Sequence, residues 1–176
     1  SVGYLYANME EMDAVFAGTQ PGYVYPRYAS PTVAAFEQAV ADLEGAPAAQ
    51  AYASGMAALH AALLASGARA GTHVVAALDL YGATFTLLRS LFDTLGVTAH
   101  LVDATQPKAV AAALRDHPSV ALLVETISNP LLKVADVPAL AEMAHASGAV
   151  LLVDNTFASP YLFTPLAHGA DYAIHS

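Results

Sequence analysis

Short apolar runs that alternate with Ala- and Leu-rich segments of helical period constrain the fold of this chain more than any other feature. Such runs are typical of strands covered on both faces, and the segments between them are typical of amphipathic helices. The predicted strands are 50–53, 73–77, 98–102, 120–125, 150–154 and 172–174, and the predicted helices are 9–17, 32–44, 55–65, 84–94, 107–116 and 137–147. This order indicates βαβ units and an α/β fold, in which helices cover both faces of a mainly parallel sheet.

Several predicted helices carry boundary signals. Asp136 is a candidate N-cap followed by a first-turn proline, Pro138, while Gly45 and Gly67 stand just past the ends of two others. The segment 18–30 has no periodicity and contains three tyrosines, two prolines and one arginine. Loops of this length inside a compact chain tend to carry function.

With 176 residues, 56% of them hydrophobic and 12% charged, the chain can bury one substantial core. A formal net charge of −9 argues against nucleic-acid binding, which needs cationic groups opposite the phosphates. Because no apolar run reaches the roughly 20 residues of a membrane span, we expect no membrane partner. The chain has no cysteine, which excludes thiolate metal sites, and its histidines are too scattered to favour another metal site. Cytoplasm is the default compartment.

The two ends of the chain are the reason to expect a longer parent. The first residues lack the regions of a signal peptide, and the chain begins without methionine. It ends with the letters IHS at 174–176, where an apolar run meets polar residues, as when a strand enters a loop. We therefore expect both ends to be cut from a larger protein.

Ligands of open α/β sheets bind beyond the carboxyl ends of strands, so the candidate site residues are those that follow each predicted strand. After the first predicted strand, Ser54 precedes a helix whose opening amides, those of Gly55 and Met56, could hold a phosphate. Ser54 could instead act only as the helix N-cap. A serine nucleophile is less favoured because the glycine that precedes it in a hydrolase elbow is absent.

Three further strand ends carry polar or aromatic groups. Tyr81 could stack on a planar ligand or pack over the sheet, and Asn129 could donate a hydrogen bond or simply form an Asn-Pro turn. Asp154 ends a fully apolar run, where a cationic partner would offset its desolvation, although it could also cap a helix. An anion site, an aromatic plate, a donor and a carboxylate together suit pyridoxal 5'-phosphate, whose ring nitrogen such a carboxylate would keep protonated.

The segment GYVYPRYASPT at 22–32 resembles the Tyr-x-Arg-x-x-Asn-Pro-Thr signature of the pyridoxal-phosphate enzymes of cysteine and methionine metabolism, the family of cystathionine γ-synthase, cystathionine γ-lyase and methionine γ-lyase. The motifs that follow in the family's order are SGM at 54–56, YGAT at 81–84, ETISNP at 125–130, DNT at 154–156 and HS at 175–176. Several spaced motifs in one order are more specific than any single motif.

The resemblance implies the large cofactor-binding domain of fold-type-I pyridoxal-phosphate-dependent transferases. That domain would cover 32–176 and be incomplete at its C-terminus, and the family's small domain would be absent. Residues 1–31 would form an N-terminal helix and an inter-subunit loop. The implied cofactor contacts are the Gly55 and Met56 amides and the Ser176 hydroxyl at the phosphate, Tyr81 on the ring and in proton transfer, Asn129 at the ring hydroxyl and Asp154 at the ring nitrogen. Ser54 and Thr156 are implied as further cofactor-binding residues.

In the family, the residues that match Tyr25 and Arg27 reach the phosphate of the neighbouring subunit. The resemblance therefore implies an active homodimer, within a homotetramer, in which these two residues complete a partner's site. An arginine suits this role because its planar guanidinium binds phosphate at two points.

Departures from the family pattern narrow the prediction. Ser30 stands where the signature has asparagine, and Ala83 stands where methionine γ-lyases have cysteine, which disfavours that activity. The family's Schiff-base lysine would lie about three residues beyond Ser176. Lys108 and Lys133 are interpreted as surface charges, although Lys133 could approach the site.

The function predicted for the intact parent is pyridoxal-phosphate-dependent elimination or replacement at the β or γ carbon of a sulfur-containing or O-acylated amino acid. The alternative is a non-catalytic phosphate-ligand-binding or interaction module, which the missing lysine would permit. A dinucleotide-binding dehydrogenase is disfavoured because no Gly-x-Gly-x-x-Gly follows a strand.

Overall fold

Five parallel strands form the only sheet among residues 3–176, which are the residues that the computed structural model describes. The strands are β1 (His73–Ala77), β2 (Thr98–Val102), β3 (Ala121–Glu125), β4 (Val150–Asp154) and β5 (Tyr172–Ile174). Their order across the sheet is β2-β1-β3-β4-β5, with every neighbouring pair parallel. The predicted α/β class is confirmed.

Seven α-helices lie among the described residues 3–176. They are α1 (Met9–Phe16), α2 (Pro31–Glu44), α3 (Gly55–Ala65), α4 (Gly82–Thr86), α5 (Pro107–Asp116), α6 (Val137–Ala146) and α7 (Ser159–Leu162). The predicted helix 84–94 is instead α4 followed by a π-helical turn, Leu87–Phe92, and both Leu88 and Phe92 are fully buried. Wider turns of this kind let a helix adjust its spacing locally, which sequence periodicity does not reveal.

Burial explains why the central strands form. Val74, Val75, Leu122 and Leu151 have no exposed surface, because helices cover the sheet. The helix ends also follow their local chemistry, since the Asp136 carboxylate accepts a hydrogen bond from the Ala139 amide at the start of α6. The predicted N-cap at Asp136 is therefore confirmed.

The prediction of a strand at 50–53 is wrong. The run joins no strand ladder, and Tyr52 is 48% exposed, so its apolar letters do not mark a buried strand. Its Ala51 amide (2.7 Å) and its Gln50 side chain (2.9 Å) both donate hydrogen bonds to the Glu37 carboxylate instead of to a neighbouring strand. Two short elements were not predicted, α7 and a 3₁₀ helix at Pro165–His168, because four residues are too few to show a period.

The chain divides into two compact units. One comprises Ser1–Asp42 with Pro47–Ala51 and contains α1 and nearly all of α2. The other comprises Leu43–Ala46 with Tyr52–Ser176 and contains the whole sheet. The predicted domain boundary after residue 31 remains a prediction. In the part of the chain that is described, no helix is both long and apolar enough to cross a bilayer.

Three imidazoles cluster where β1 begins and β2 runs beside it. His73 Nδ1 lies 3.0 Å from His100 Nε2, and the rings of His100 and His117 stack with centroids 3.6 Å apart. Burial lowers the pKa of His100, and charge on His117 and His73 lowers it further. Over residues 3–176, no group of three or more His, Asp or Glu side chains is placed to hold a metal ion.

We expect the stability of this unit to decrease as pH falls below 6.5, the ordinary pKa of histidine. Because the folded pKa of His100 is lower, the unfolded chain binds its proton first, and unfolding becomes easier with acidification. Urea unfolding between about pH 5 and pH 8 should therefore show a weaker pH dependence in His100→Asn than in the parent. His168→Asn, at an exposed histidine outside the cluster, should keep the parental dependence. Equal pH dependence in all three proteins would contradict this assignment.

Candidate active site

The carboxyl ends of β3 and β4 bring two acids side by side. Glu125 and Asp154 are the last residues of these strands and are partners in the parallel register. Glu125 is 7% exposed, whereas Asp154 is half-buried. Two carboxylates at this edge make it strongly electronegative and suited to a ligand that carries positive charge.

The Glu125 carboxylate holds two of the predicted site residues. Its Oε1 accepts a hydrogen bond from the Tyr81 amide at 2.5 Å, and its Oε2 accepts one from the Asn129 amide at 2.8 Å. Burial raises the pKa of Glu125, the two amides oppose that rise, and the nearby Asp154 charge adds to it. Tyr81 and Asn129, which are far apart in sequence, are therefore held at one carboxylate.

Asp154 is oriented by its own turn. Its Oδ1 accepts hydrogen bonds from the Thr156 amide (3.0 Å) and the Thr156 hydroxyl (2.6 Å). No donor among residues 3–176 reaches its second oxygen, Oδ2. No helix begins at Asp154, so helix capping does not explain this residue, and one carboxylate oxygen is available to a ligand.

A chain of contacts joins Asp154 to the start of α3. The Thr156 hydroxyl, which donates to Asp154, accepts a hydrogen bond from the Ser176 amide at 3.1 Å. Ser176 in turn lies so close to Gly55 that a methyl group at position 55 would be 2.6 Å from the Ser176 hydroxyl oxygen and 2.9 Å from its Cα. Only a glycine allows this approach, and it brings the first amide of α3 beside a serine hydroxyl.

The first turn of α3 offers amides to an anion. The Ser54 hydroxyl accepts a hydrogen bond from the Ala57 amide (3.2 Å), so the predicted capping role of Ser54 is confirmed. The amides of Gly55 and Met56 precede the first intrahelical hydrogen bonds. The Met56 side chain packs against the core, so any contact with a ligand would come from its amide. Whether Ser54 also contacts a ligand remains a prediction.

Tyr25 and Arg27 belong to the other compact unit. The Arg27 guanidinium carbon lies 5.6 Å from the Tyr25 ring centroid and 5.2 Å from that of Tyr28, and both Tyr25 and Arg27 are exposed. Ser30, the departure from the family signature, accepts a hydrogen bond from the Val33 amide (3.2 Å) at the start of α2. Asparagine caps helices equally well, which explains why serine is tolerated there.

Lys133 has a structural partner. Its Nζ lies 2.6 Å from Asp79 Oδ2, and this hydrogen bond raises the pKa of the ammonium group. A lysine held in its charged form is a poor nucleophile, so the interpretation of Lys133 as an unreactive charge is favoured.

Sequence reasoning assigned no role to several buried polar residues below the site. Asn155 is fully buried, accepts from the Thr126 hydroxyl (2.7 Å) and donates to Glu44 Oε1 (3.1 Å). The same Glu44 oxygen lies 2.6 Å from His175 Nε2, next to Ser176. Glu125 precedes Thr126 in the sequence, just as Asp154 precedes Asn155, and both acids end apolar runs. The strand-end signal that identified Asp154 would therefore also have identified Glu125.

The arrangement suits an elongated planar ligand with an anionic end and a protonated ring. Backbone amides and the Ser176 hydroxyl lie at the α3 end, where the close approach of Gly55 leaves no room for a side chain. The carboxylate of Asp154 lies at the strand end, with Tyr81 and Asn129 fixed nearby through Glu125. These residues fit a phosphorylated pyridine.

Comparison with known proteins identifies relatives along the whole chain. A family model described as Cys/Met metabolism PLP-dependent enzyme matches residues 1–176. O-succinylhomoserine sulfhydrylase of Pseudomonas aeruginosa is 42% identical over 98% of this chain and 42% of its own length. Cystathionine gamma-lyase of Bacillus subtilis is 40% identical over 91% of this chain and 41% of its own length. The chain thus spans about two fifths of the length of these curated relatives.

A solved structure gives the same result for the fold. The O-acetylhomoserine (thiol)-lyase of Campylobacter jejuni, which contains N'-pyridoxyl-lysine-5'-monophosphate, superposes with a TM-score of 0.87 at 30% identity. The match covers 100% of this chain and 43% of that protein.

Replacing Gly55 with alanine should destabilise the sheet-containing unit by about 1–3 kcal/mol, because the added methyl group overlaps the backbone of Ser176. Gly82→Ala is the matched control, since Gly82 also opens a helix but has open space around its Cα and no left-handed φ. The control should be neutral or stabilising by up to about 1 kcal/mol. Urea unfolding measures both, and a Gly55→Ala protein as stable as the Gly82→Ala protein would refute the close contact.

Proposed function

The chain belongs to the Cys/Met metabolism PLP-dependent enzyme family, and we propose that its protein eliminates or replaces a group at the β or γ carbon of an amino acid. The substrate class is a sulfur-containing or O-acylated amino acid, as in the names of the sulfhydrylase and lyase relatives. The observation that carries the proposal is the unbroken set of contacts from Gly55 through Ser176 and Thr156 to Asp154.

Pyridoxal phosphate is the cofactor of this family, and the residues present fit it. We assign the phosphate to the amides of Gly55 and Met56 and to the Ser176 hydroxyl, with Ser54 and Thr156 as supporting residues. The ring would lie against Tyr81, with Asn129 at its hydroxyl and Asp154 at its nitrogen. The chemistry that the cofactor supplies when bound is withdrawal of electrons from the amino acid's Cα.

Asp154 would keep a proton on the ring nitrogen. Its Oδ1 is occupied by Thr156, so Oδ2 is the oxygen that can accept a hydrogen bond from a ring N–H. A nearby anion favours the protonated form of a basic nitrogen, and Glu125 adds a second negative charge behind it. Thr156 fixes the carboxylate and so lowers the cost of orienting it when the ligand binds.

Tyr81 would have two roles. Its side chain is 48% exposed at the start of α4, where it can present its ring face to a planar ligand. A phenol in that position can also pass a proton to or from the substrate. The backbone of Tyr81 is held by Glu125, which leaves the side chain free for both roles.

The assembly and location are also part of the proposal. Tyr25 and Arg27 would bind the phosphate in a partner subunit, which makes a homodimer necessary for activity and a homotetramer the expected assembly. The exposed, paired guanidinium and phenol of these residues support that role. The cytoplasmic location remains a prediction from composition.

The test uses the complete gene product and Asp154→Asn, which preserves shape but places a neutral amide at the ring nitrogen. We expect turnover of cystathionine or O-succinylhomoserine to fall by about two orders of magnitude or more while cofactor still binds, because the ring nitrogen loses its anionic partner. Keto-acid release and visible absorbance give the two measurements.

Asp136→Asn is the matched control, because Asp136 caps α6 and asparagine caps as well as aspartate. Its turnover should equal that of the parent. Full activity in Asp154→Asn would remove Asp154 from the mechanism, and absence of cofactor from the parent protein would refute the proposed function.

A further inference from the structure

Glu125 accepts hydrogen bonds from both loops that carry the proposed ring contacts, Tyr81 and Asn129. These two residues and Asp154 are called the ring site. Glu125 is the last residue of β3, its carboxylate is 7% exposed, and each of its oxygens accepts one backbone hydrogen bond from a different loop. One loop leads into α4 through Tyr81, and the other is the turn that begins with Asn129. No other side chain in residues 3–176 bonds the backbone of both loops.

The two loops depend on this carboxylate to different degrees. The turn after β3 has its own hydrogen bonds, from the Ser128 amide to Lys133 and from the Ala135 amide to Thr126. The start of α4 has less support, because Tyr81 occupies the N-cap position and makes no side-chain cap. Loss of Glu125 should therefore loosen Tyr81 more than Asn129.

We infer that Glu125 is a positioning residue, which sets the separation of Tyr81 and Asn129 so that one planar ring contacts both. The inference rests on the proposed function, since it concerns the same ring site, and it gives Glu125 no direct contact with the ligand. A rigid β-strand end is a suitable anchor, because its own position is fixed by the ladder to β4.

The chemistry of the contact explains why glutamate is required. Two backbone N–H groups need two acceptors, and glutamine offers only one oxygen, so its amide nitrogen would face a second donor. Aspartate keeps both acceptors but is one methylene shorter and cannot span the same gap. A buried amide left without an acceptor is costly, so the affected loop should shift or open.

The experiment uses the complete gene product, freed of bound cofactor, and two probes, pyridoxamine 5'-phosphate and inorganic phosphate, in titration calorimetry. Pyridoxamine 5'-phosphate has the ring and the phosphate but cannot form an imine with surface lysines. Glu125→Gln should weaken its binding by roughly tenfold to a hundredfold, while inorganic phosphate, which needs only the α3 end, binds within about twofold of the parent.

Hydrogen exchange followed by NMR separates positioning from general stability. In Glu125→Gln, at least one of the Tyr81 and Asn129 amides should exchange about tenfold faster or more, while amides in the middle of β3 keep their protection. Glu37→Gln is the matched control, because Glu37 also accepts a backbone amide hydrogen bond but lies in the other unit. It should change neither binding nor the exchange of these two amides.

Each outcome is decisive. Parental affinity for pyridoxamine 5'-phosphate in Glu125→Gln, or parental protection of both amides, would overturn the positioning role. If the glutamine variant does not fold, Glu125→Asp, which keeps the charge, takes its place with the same expected selective loss. Failure of the unsubstituted gene product to bind pyridoxamine 5'-phosphate, with Tyr81 and Asn129 still protected through Glu125, would instead count against the proposed function.

Discussion

Two carboxylates in register at the ends of β3 and β4 are the constraint on which the site depends. Parallel pairing places Glu125 beside Asp154, and like charges on paired residues oppose folding unless each is compensated. The compensation differs, because Glu125 is buried and accepts two backbone amides, whereas Asp154 is half-buried and uses only one oxygen, for Thr156. Glu125 therefore fixes the two loops that contain Tyr81 and Asn129, and Asp154 remains available to a cationic group.

The fold could be predicted because its signals are local. Strands covered on both faces are nearly all apolar, and residues 74–77 of β1, 121–124 of β3 and 150–153 of β4 have that composition, with helical segments between them. The prediction failed at 50–53, since the letters QAYA, three of them apolar, do not reveal whether a segment is buried. There, Ala51 donates its amide to Glu37, an interaction that no periodicity predicts.

The site was predictable only in part, for a related reason. The strand-end rule identified Tyr81, Asn129 and Asp154 individually, because each stands where an apolar run ends. It could not show that Glu125 joins Tyr81 and Asn129, since the acceptor for Tyr81 lies 44 residues away. The approach of Ser176 to Gly55 likewise depends on a tertiary contact between β5 and α3, which are far apart in the sequence.

Glu44 is a second buried acid, and it differs from Glu125 in how its two carboxylate oxygens are hydrogen-bonded. Glu44 uses a single oxygen for both His175 and Asn155, and its other oxygen is buried without any donor from residues 3–176. An unpaired buried acceptor costs about 1–3 kcal/mol, so this cost must be offset by what the first oxygen secures. That oxygen fixes His175, the residue before Ser176, and so supports the phosphate end of the proposed site. The ring end and the phosphate end thus each rest on a buried glutamate that does not itself need to touch the ligand.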